Sequence, residues 1–254
     1  MARWLVGLLA AMLWWVSPAA AEPVDVELVL AVDISGSIDA QEFALQRQGY
    51  ANAFRDPRVI DAIRANRWQR ITVTMVEWSA EDLQEQLFPF MLVKDHASAE
   101  ALATAILAPP RGRYRRTSIS GGIDYSVKLF GTSEHRGERR IIDVSGDGVN
   151  NSGRSAALAR DDALKQGIII NGLAIMNDRG SQFGGGVGYG FRPESNLPLD
   201  EYYNDFVIGG PGSFLIVTND FEGFERAVVA KLVREIAGVP LGDQKDLAAM
   251  GRVR

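Results

Sequence analysis

The sequence predicts an α/β domain of the doubly wound, Rossmann-like kind, with a mostly parallel sheet, helices on both faces and one antiparallel edge strand. Three observations predict it. From residue 26 to residue 236, short apolar runs rich in Val and Ile alternate with stretches of helical period, the order that a parallel sheet requires. The first run, "VELVLAV" at 26–32, is apolar at nearly every position, as a strand covered on both faces must be. The chain has 254 residues and is 46% hydrophobic, enough for one large core.

The elements follow in order. After the strand at 26–32, a helix is expected over 40–54, with Phe43, Tyr50 and Phe54 at helical spacing and Asp39 three residues before Glu42, a capping-box start. Asp56-Pro57 interrupts it, and 57–66 continues as a short helical piece. Residues 70–78, "RITVTMVEW", are β-branched and aromatic; 86–93, "QLFPFMLV", contains Pro89 and therefore belongs at a sheet edge. A helix over 96–107 ends at Pro109-Pro110, the basic loop "RGRYRR" follows, and Ile119, Ile123, Val127 and Phe130 mark one face of a helix over 118–130. Then come a strand at 139–145, a helix at 153–166, a strand at 167–175, a long Gly-, Asn- and Pro-rich loop at 176–197 and a short helix near 199–207. A strand at 213–218 and an amphipathic helix carrying Phe221, Phe224, Val228, Leu232 and Ile236 complete the domain, with Gly238 and Pro240 as its stop.

The ends of the chain read differently. "MARWLVGLLAAMLWWVSPAAA" has Arg3, an apolar run from Trp4 to Val16 and small residues before position 22, the three-part pattern of a secretory signal peptide cut after Ala21. As a helix the run spans only ~20 Å, short of the ~30 Å hydrocarbon core. The expected organisation is a signal peptide at 1–21, one domain at 22–240 and a loose tail at 241–254, placing the protein in the periplasm or outside the cell. No other run approaches membrane-spanning length. The formal net charge of −5 becomes one unit more negative once Arg3 is removed, which argues against a general nucleic-acid binder. The chain has no cysteine, which excludes disulfides, thiolate metal sites and cysteine nucleophiles.

In doubly wound sheets, ligands bind beyond the carboxyl ends of the strands, where the strand order reverses. Asp33, Ser35 and Ser37 follow the first strand at alternate positions, so in an extended chain they converge from one side, with Gly36 permitting close backbone approach. Thr117 begins a later helix, with Ser118 and Ser120 beside it as alternative donors. Asp147, between Gly146 and Gly148, follows the strand at 139–145. Taken singly, each is an ordinary turn or cap residue; together they are two carboxylates and three hydroxyls, the donors of a hard cation such as Mg²⁺ or Mn²⁺, with Ca²⁺ also compatible.

With Asp33-Ile34-Ser35-Gly36-Ser37, Thr117 and Asp147 in this order, the sequence resembles the von Willebrand factor type A (VWA) domains, from about Val24 to Ile236. The resemblance implies a metal-ion-dependent adhesion site in which the serines and the threonine contact the metal and the aspartates often act through water. The segments "VEWS" (76–79), "DVSGDGVNN" (143–151) and "VIGGPGSF" (207–214) are similar to a group of bacterial exported proteins of this fold whose function is undefined. The family's usual mode fills the open coordination position with an Asp or Glu of a partner protein. A first shell of neutral hydroxyls and water leaves the dication residual positive charge, which favours that carboxylate. Arg111, Arg113, Arg115 and Arg116 would lie on the rim and steer an acidic partner.

An enzyme is not expected. The two histidines, His96 at a helix start and His135 in a charged loop, are not ligand-spaced, and no nucleophile elbow occurs. "GGGVGYG" at 184–190 fits no register of the dinucleotide-binding glycine pattern and reads as a rim loop. Asn150-Asn151 reads chiefly as a turn. The alternatives are a scaffold with a structural metal and, further off, a metal-dependent phosphoesterase.

Overall fold

The computed structural model describes residues 21–176, 194–221 and 223–238. The signal-peptide expectation for 1–21, the Gly-rich loop at 184–190 and the tail at 241–254 lie outside them, apart from Ala21. Among the described residues six strands form one sheet: β1 (Glu22–Asp33), β2 (Ile71–Trp78), β3 (Gln84–Val93), β4 (His135–Gly146), β5 (Ile168–Ile175) and β6 (Leu215–Thr218). Their spatial order is β3-β2-β1-β4-β5-β6, with every pair parallel except β2–β3. The order reverses between β1 and β4, so the crevice at their carboxyl ends is the topological switch point.

β1 is central, and its residues are buried from Val24 onward, which explains why 26–32 is apolar at nearly every position. Alternation sends Leu28, Leu30 and Val32 to one face and Val29 and Ala31 to the other. The first face is covered by α1 (Ala40–Arg55), α2 (Pro57–Arg64), α3 (His96–Leu107) and α7 (Phe224–Ala237). The second is covered by α4 (Ile119–Leu129), α5 (Ala156–Leu164) and α6 (Leu199–Tyr202), which runs on into a π-helical turn at Tyr203–Val207. Trp78, wholly buried, lies against α4 where Gly122 has no side chain; a Cβ there would stand 2.8 Å from the indole. Among the described residues no helix is long and apolar enough to cross a membrane.

The differences from expectation concern backbone pairing and caps. β4 begins at His135 rather than 139, because Glu22–Val24 extend β1 and pair with His135–Gly137; His135 is therefore a strand residue and not part of a loop. The helix expected over 153–166 shortens to Ala156–Leu164, and its N-cap Ser155 makes no side-chain cap. Glu194 accepts the Ala156 N–H instead, at 3.1 Å. α1 starts as expected, with Asp39 and Glu42 forming a reciprocal capping box.

Candidate metal centre

The Asp33–Ser37 segment is held where β1 ends. The Ile34 N–H donates to the Trp78 carbonyl at 2.9 Å, and the Gly36 N–H to the Arg115 carbonyl at 3.1 Å. Asp33 Oδ1 accepts the Ser35 N–H at 2.6 Å. Ser35 Oγ lies 3.2 Å from Ser37 Oγ, and Ser37 Oγ donates to Asp147 Oδ1 at 2.6 Å. The motif after β1 is thus physically joined to the acid after β4. Because Asp39 caps α1, Ser37 is left to face Asp147.

Thr117 is set by a second pair of strand-end loops. The Ser118 N–H donates to the Ser79 carbonyl at 2.6 Å, and the Arg115 N–H to Ser79 Oγ at 3.1 Å, so the "VEWS" segment fixes both sides of Thr117. The Thr117 N–H donates to Asn151 Oδ1 at 3.0 Å, and the Asn151 N–H returns to the Thr117 carbonyl at 2.8 Å. Ser118 Oγ accepts the Gly121 N–H as the α4 cap, and Ser120 faces Asn150. The two neighbouring candidates are thereby engaged elsewhere. Thr117 Oγ1 lies over the turn that follows Asp147, 3.7 Å from where a Cβ on Gly148 would stand.

The electrostatics show what this arrangement can hold. Asp33 is wholly buried, and burial, then the charge of Asp147, pushes its carboxyl well above the ordinary range; the Ser35 hydrogen bonds and Arg111 oppose the rise. Its Oδ2 is buried without a hydrogen-bond partner. That oxygen lies 2.9 Å, and the phenol oxygen of wholly buried Tyr203 2.8 Å, from the position of a Cβ on Gly146. Burial, then Asp33, likewise raises the Tyr203 phenol. A buried acid whose proton affinity a second acid raises, an orphaned carboxylate oxygen and three hydroxyls are a donor set that fits a hard divalent cation. Among the described residues no three of His, Asp or Glu gather as metal ligands, so hydroxyls and water would complete the sphere.

The arginines divide. Arg111 turns inward: its Nη2 donates to the carbonyls of Ile34, Ser35 and Ile38 at 2.9, 3.2 and 2.7 Å, and its guanidinium lies over Tyr114 and Phe43. It is a clamp on the motif, which corrects its expected place on the rim. Arg113, Arg115 and Arg116 are exposed. Below the same loop Glu77, 1% exposed, pairs with buried Arg47 at 2.6 Å and accepts the Gly112 N–H at 3.2 Å.

Sequence reasoning did not identify Tyr203, the Arg111 clamp or the anchoring roles of Glu77 and Ser79, and it gave Asn150-Asn151 a turn role where they tie loops together. A buried acid in "VEWS" was the one signal on offer.

A family model described as a protein of unknown function (DUF1194) matches residues 23–240. No curated protein matches the chain by sequence. Among solved structures, proximal thread matrix protein 1 from the mussel byssus is similar over 85% of this chain and 49% of its own, at 16% identity and a TM-score of 0.58. The same mussel protein with a zinc-occupied MIDAS motif aligns at 15% identity over 84% of this chain and 46% of its own, with a TM-score of 0.55. The pilus adhesin SpaC from Lactobacillus rhamnosus GG aligns at 13% identity over 84% of this chain and 31% of its own, with a TM-score of 0.57. A von Willebrand factor type A protein from Catenulispora acidiphila aligns at 14% over 85% and 42%, with a TM-score of 0.52. This chain spans about half the length of the mussel protein and less of the other two. These likenesses establish the VWA fold.

Proposed function

This chain belongs to the DUF1194 family, and from that premise we infer that it is an exported, metal-dependent protein-binding domain and not an enzyme. Asp33, Ser35, Ser37, Thr117 and Asp147 hold one divalent cation, Mg²⁺ or Mn²⁺, with Ca²⁺ as the alternative. What supports the reading is that Ser37, after β1, donates to Asp147, after β4, at the β1/β4 switch point, with Asp33 Oδ2 buried and unpartnered. The zinc-occupied motif of the mussel protein supports a divalent metal in this fold.

When bound, the cation supplies positive charge at an open coordination position and so favours an Asp or Glu carboxylate of a partner protein. The chain's own residues do the rest. Ser37 and Ser35 orient Asp147 and each other, Arg111 holds the motif's carbonyls, and exposed Arg113, Arg115 and Arg116 attract an acidic partner before contact. The domain occupies residues 22–240, and residues 1–21 direct its export and are cut off as it leaves the cytoplasm.

The test is capture of exported proteins on the immobilised domain, with and without chelator, beside calorimetric Mg²⁺ titration. We expect a partner retained with Mg²⁺, released by chelator and not bound by Asp33→Ala. Capture indifferent to both changes overturns the reading, as does the absence of heat and thermal shift at millimolar metal.

A further inference from the structure

A second cluster of charge lies on the α1/α7 side of the sheet, in the middle of β4 and apart from the metal-centre loops. Lys231 on α7, wholly buried, places Nζ 2.5 Å from Oδ1 of wholly buried Asp143 on β4. The same Nζ is 2.6 Å from Oε1 of Glu235, one helical turn further on. Asn171 Nδ2 donates to that Oε1 at 2.9 Å, and Asn171 Oδ1 accepts the Phe214 N–H at 3.1 Å. Leu30, Ile141, Leu173, Val228 and Leu232 belong to the surrounding core, and Nζ stands 5.6 Å from the Phe214 ring centre.

Two features fit poorly with a resting ion pair. One ammonium and two carboxylates in an apolar core carry a desolvation penalty that a pair seldom repays. Neither oxygen of Asp143, nor Oε2 of Glu235, takes part in an aligned hydrogen bond, although buried acceptors are nearly always satisfied.

We propose that Lys231 and Asp143 condense into an intramolecular isopeptide bond, with Glu235 moving the protons. The reaction begins from ammonium, protonated Asp143 and ionised Glu235. Glu235 removes a proton from Nζ, the freed lone pair attacks Cγ of Asp143, and a C–N bond forms. The Cγ–O bond then breaks, its electron pair leaving with the hydroxyl, which departs as water. Of the three ammonium protons, one stays on the amide nitrogen, one leaves in the water and one remains on Glu235. No oxidant is required, and the starting and final clusters are both neutral. Burial pushes Asp143 up to about 7 against the pull of Lys231, with Glu235 adding to the rise, so the acid form is populated at neutral pH. Holding the groups in contact replaces the high concentration that an amine and an acid would otherwise need. The amide N–H then donates to Glu235, and no ammonium remains in the core. In a chain without cysteine, this bond ties α7 to the sheet.

The wild-type protein decides the matter, because its mass is read after denaturation and requires no variant to fold. We expect a mass one water molecule below that of the sequence from its observed N-terminus. Tryptic digestion should yield residues 141–154 joined to 227–234, with no cleavage after Lys231. Lys231→Arg and Glu235→Gln should both give the full mass. Full mass in the wild type, separate linear peptides, or a water loss mapping to another site overturns the proposal.

Discussion

Asp33→Asn isolates the electrostatic cost of the metal centre. The substitution keeps the side chain's shape, and Oδ1 can still accept the Ser35 N–H at 2.6 Å. What disappears is a negative charge on a wholly buried group that has Asp147 beside it and one oxygen unpartnered. Burying that charge costs more than burying the neutral amide that replaces it, by about 1–3 kcal/mol. At about 2 kcal/mol, and 2–4 °C per kcal/mol for a domain of this size, the variant should melt about 4–8 °C higher than wild type in chelator. The pH dependence has a definite sign. Asp33's proton affinity is raised on folding, so its contribution is complete below its unfolded value, near 3.8, and is lost as pH rises through its folded value. In chelator the wild type should therefore lose stability from about pH 4 upward, while the variant stays flatter. Metal reverses the ranking: at a hundred times Kd the wild type gains about 2.7 kcal/mol and the variant gains little. Differential scanning fluorimetry over a pH series, with chelator and with Mg²⁺, measures both effects. An Asp33→Asn protein less stable than wild type in chelator, yet shifted equally by Mg²⁺, would refute the reasoning.

Two further substitutions probe the supports of the centre. Gly146→Ala places a Cβ 2.8 Å from Tyr203 Oη and 2.9 Å from Asp33 Oδ2, and should cost about 1–3 kcal/mol while weakening Mg²⁺ binding by calorimetry; unchanged affinity would show that the Asp33 carboxylate needs no such close fit. Glu77→Ala strands buried Arg47 and should cost about 3–5 kcal/mol in urea unfolding. The double change Arg47→Met with Glu77→Leu should recover most of that loss, and a double mutant as unstable as the single would count against an uncompensated charge as the cause.

Much of the domain was legible in the sequence because its determinants are local. The apolar run of 26–32, the Asp39–Glu42 capping box and Pro89 on the edge strand β3 each express a preference of a few neighbouring residues. The extension of β4 to His135 was not legible, because polar residues joined the sheet through pairing with Glu22–Val24, a partner more than a hundred positions away. Arg111 was misread for the same reason: an arginine in a basic loop looks solvated until the carbonyls of Ile34, Ser35 and Ile38 are found around it.

By itself the sequence determined the order of elements, the doubly wound class and the identity of the five candidate donors, since strand and helix periods and the residues at strand ends are written along the chain. Only the tertiary structure decided that Ser37 reaches Asp147, that Ser118 rather than Thr117 caps α4, that Tyr203 and the buried Asp33 both crowd against Gly146, and that Lys231 meets Asp143. These outcomes depend on the register of strands distant in sequence and on the desolvation their packing imposes, and neither quantity exists until the sheet has closed around them.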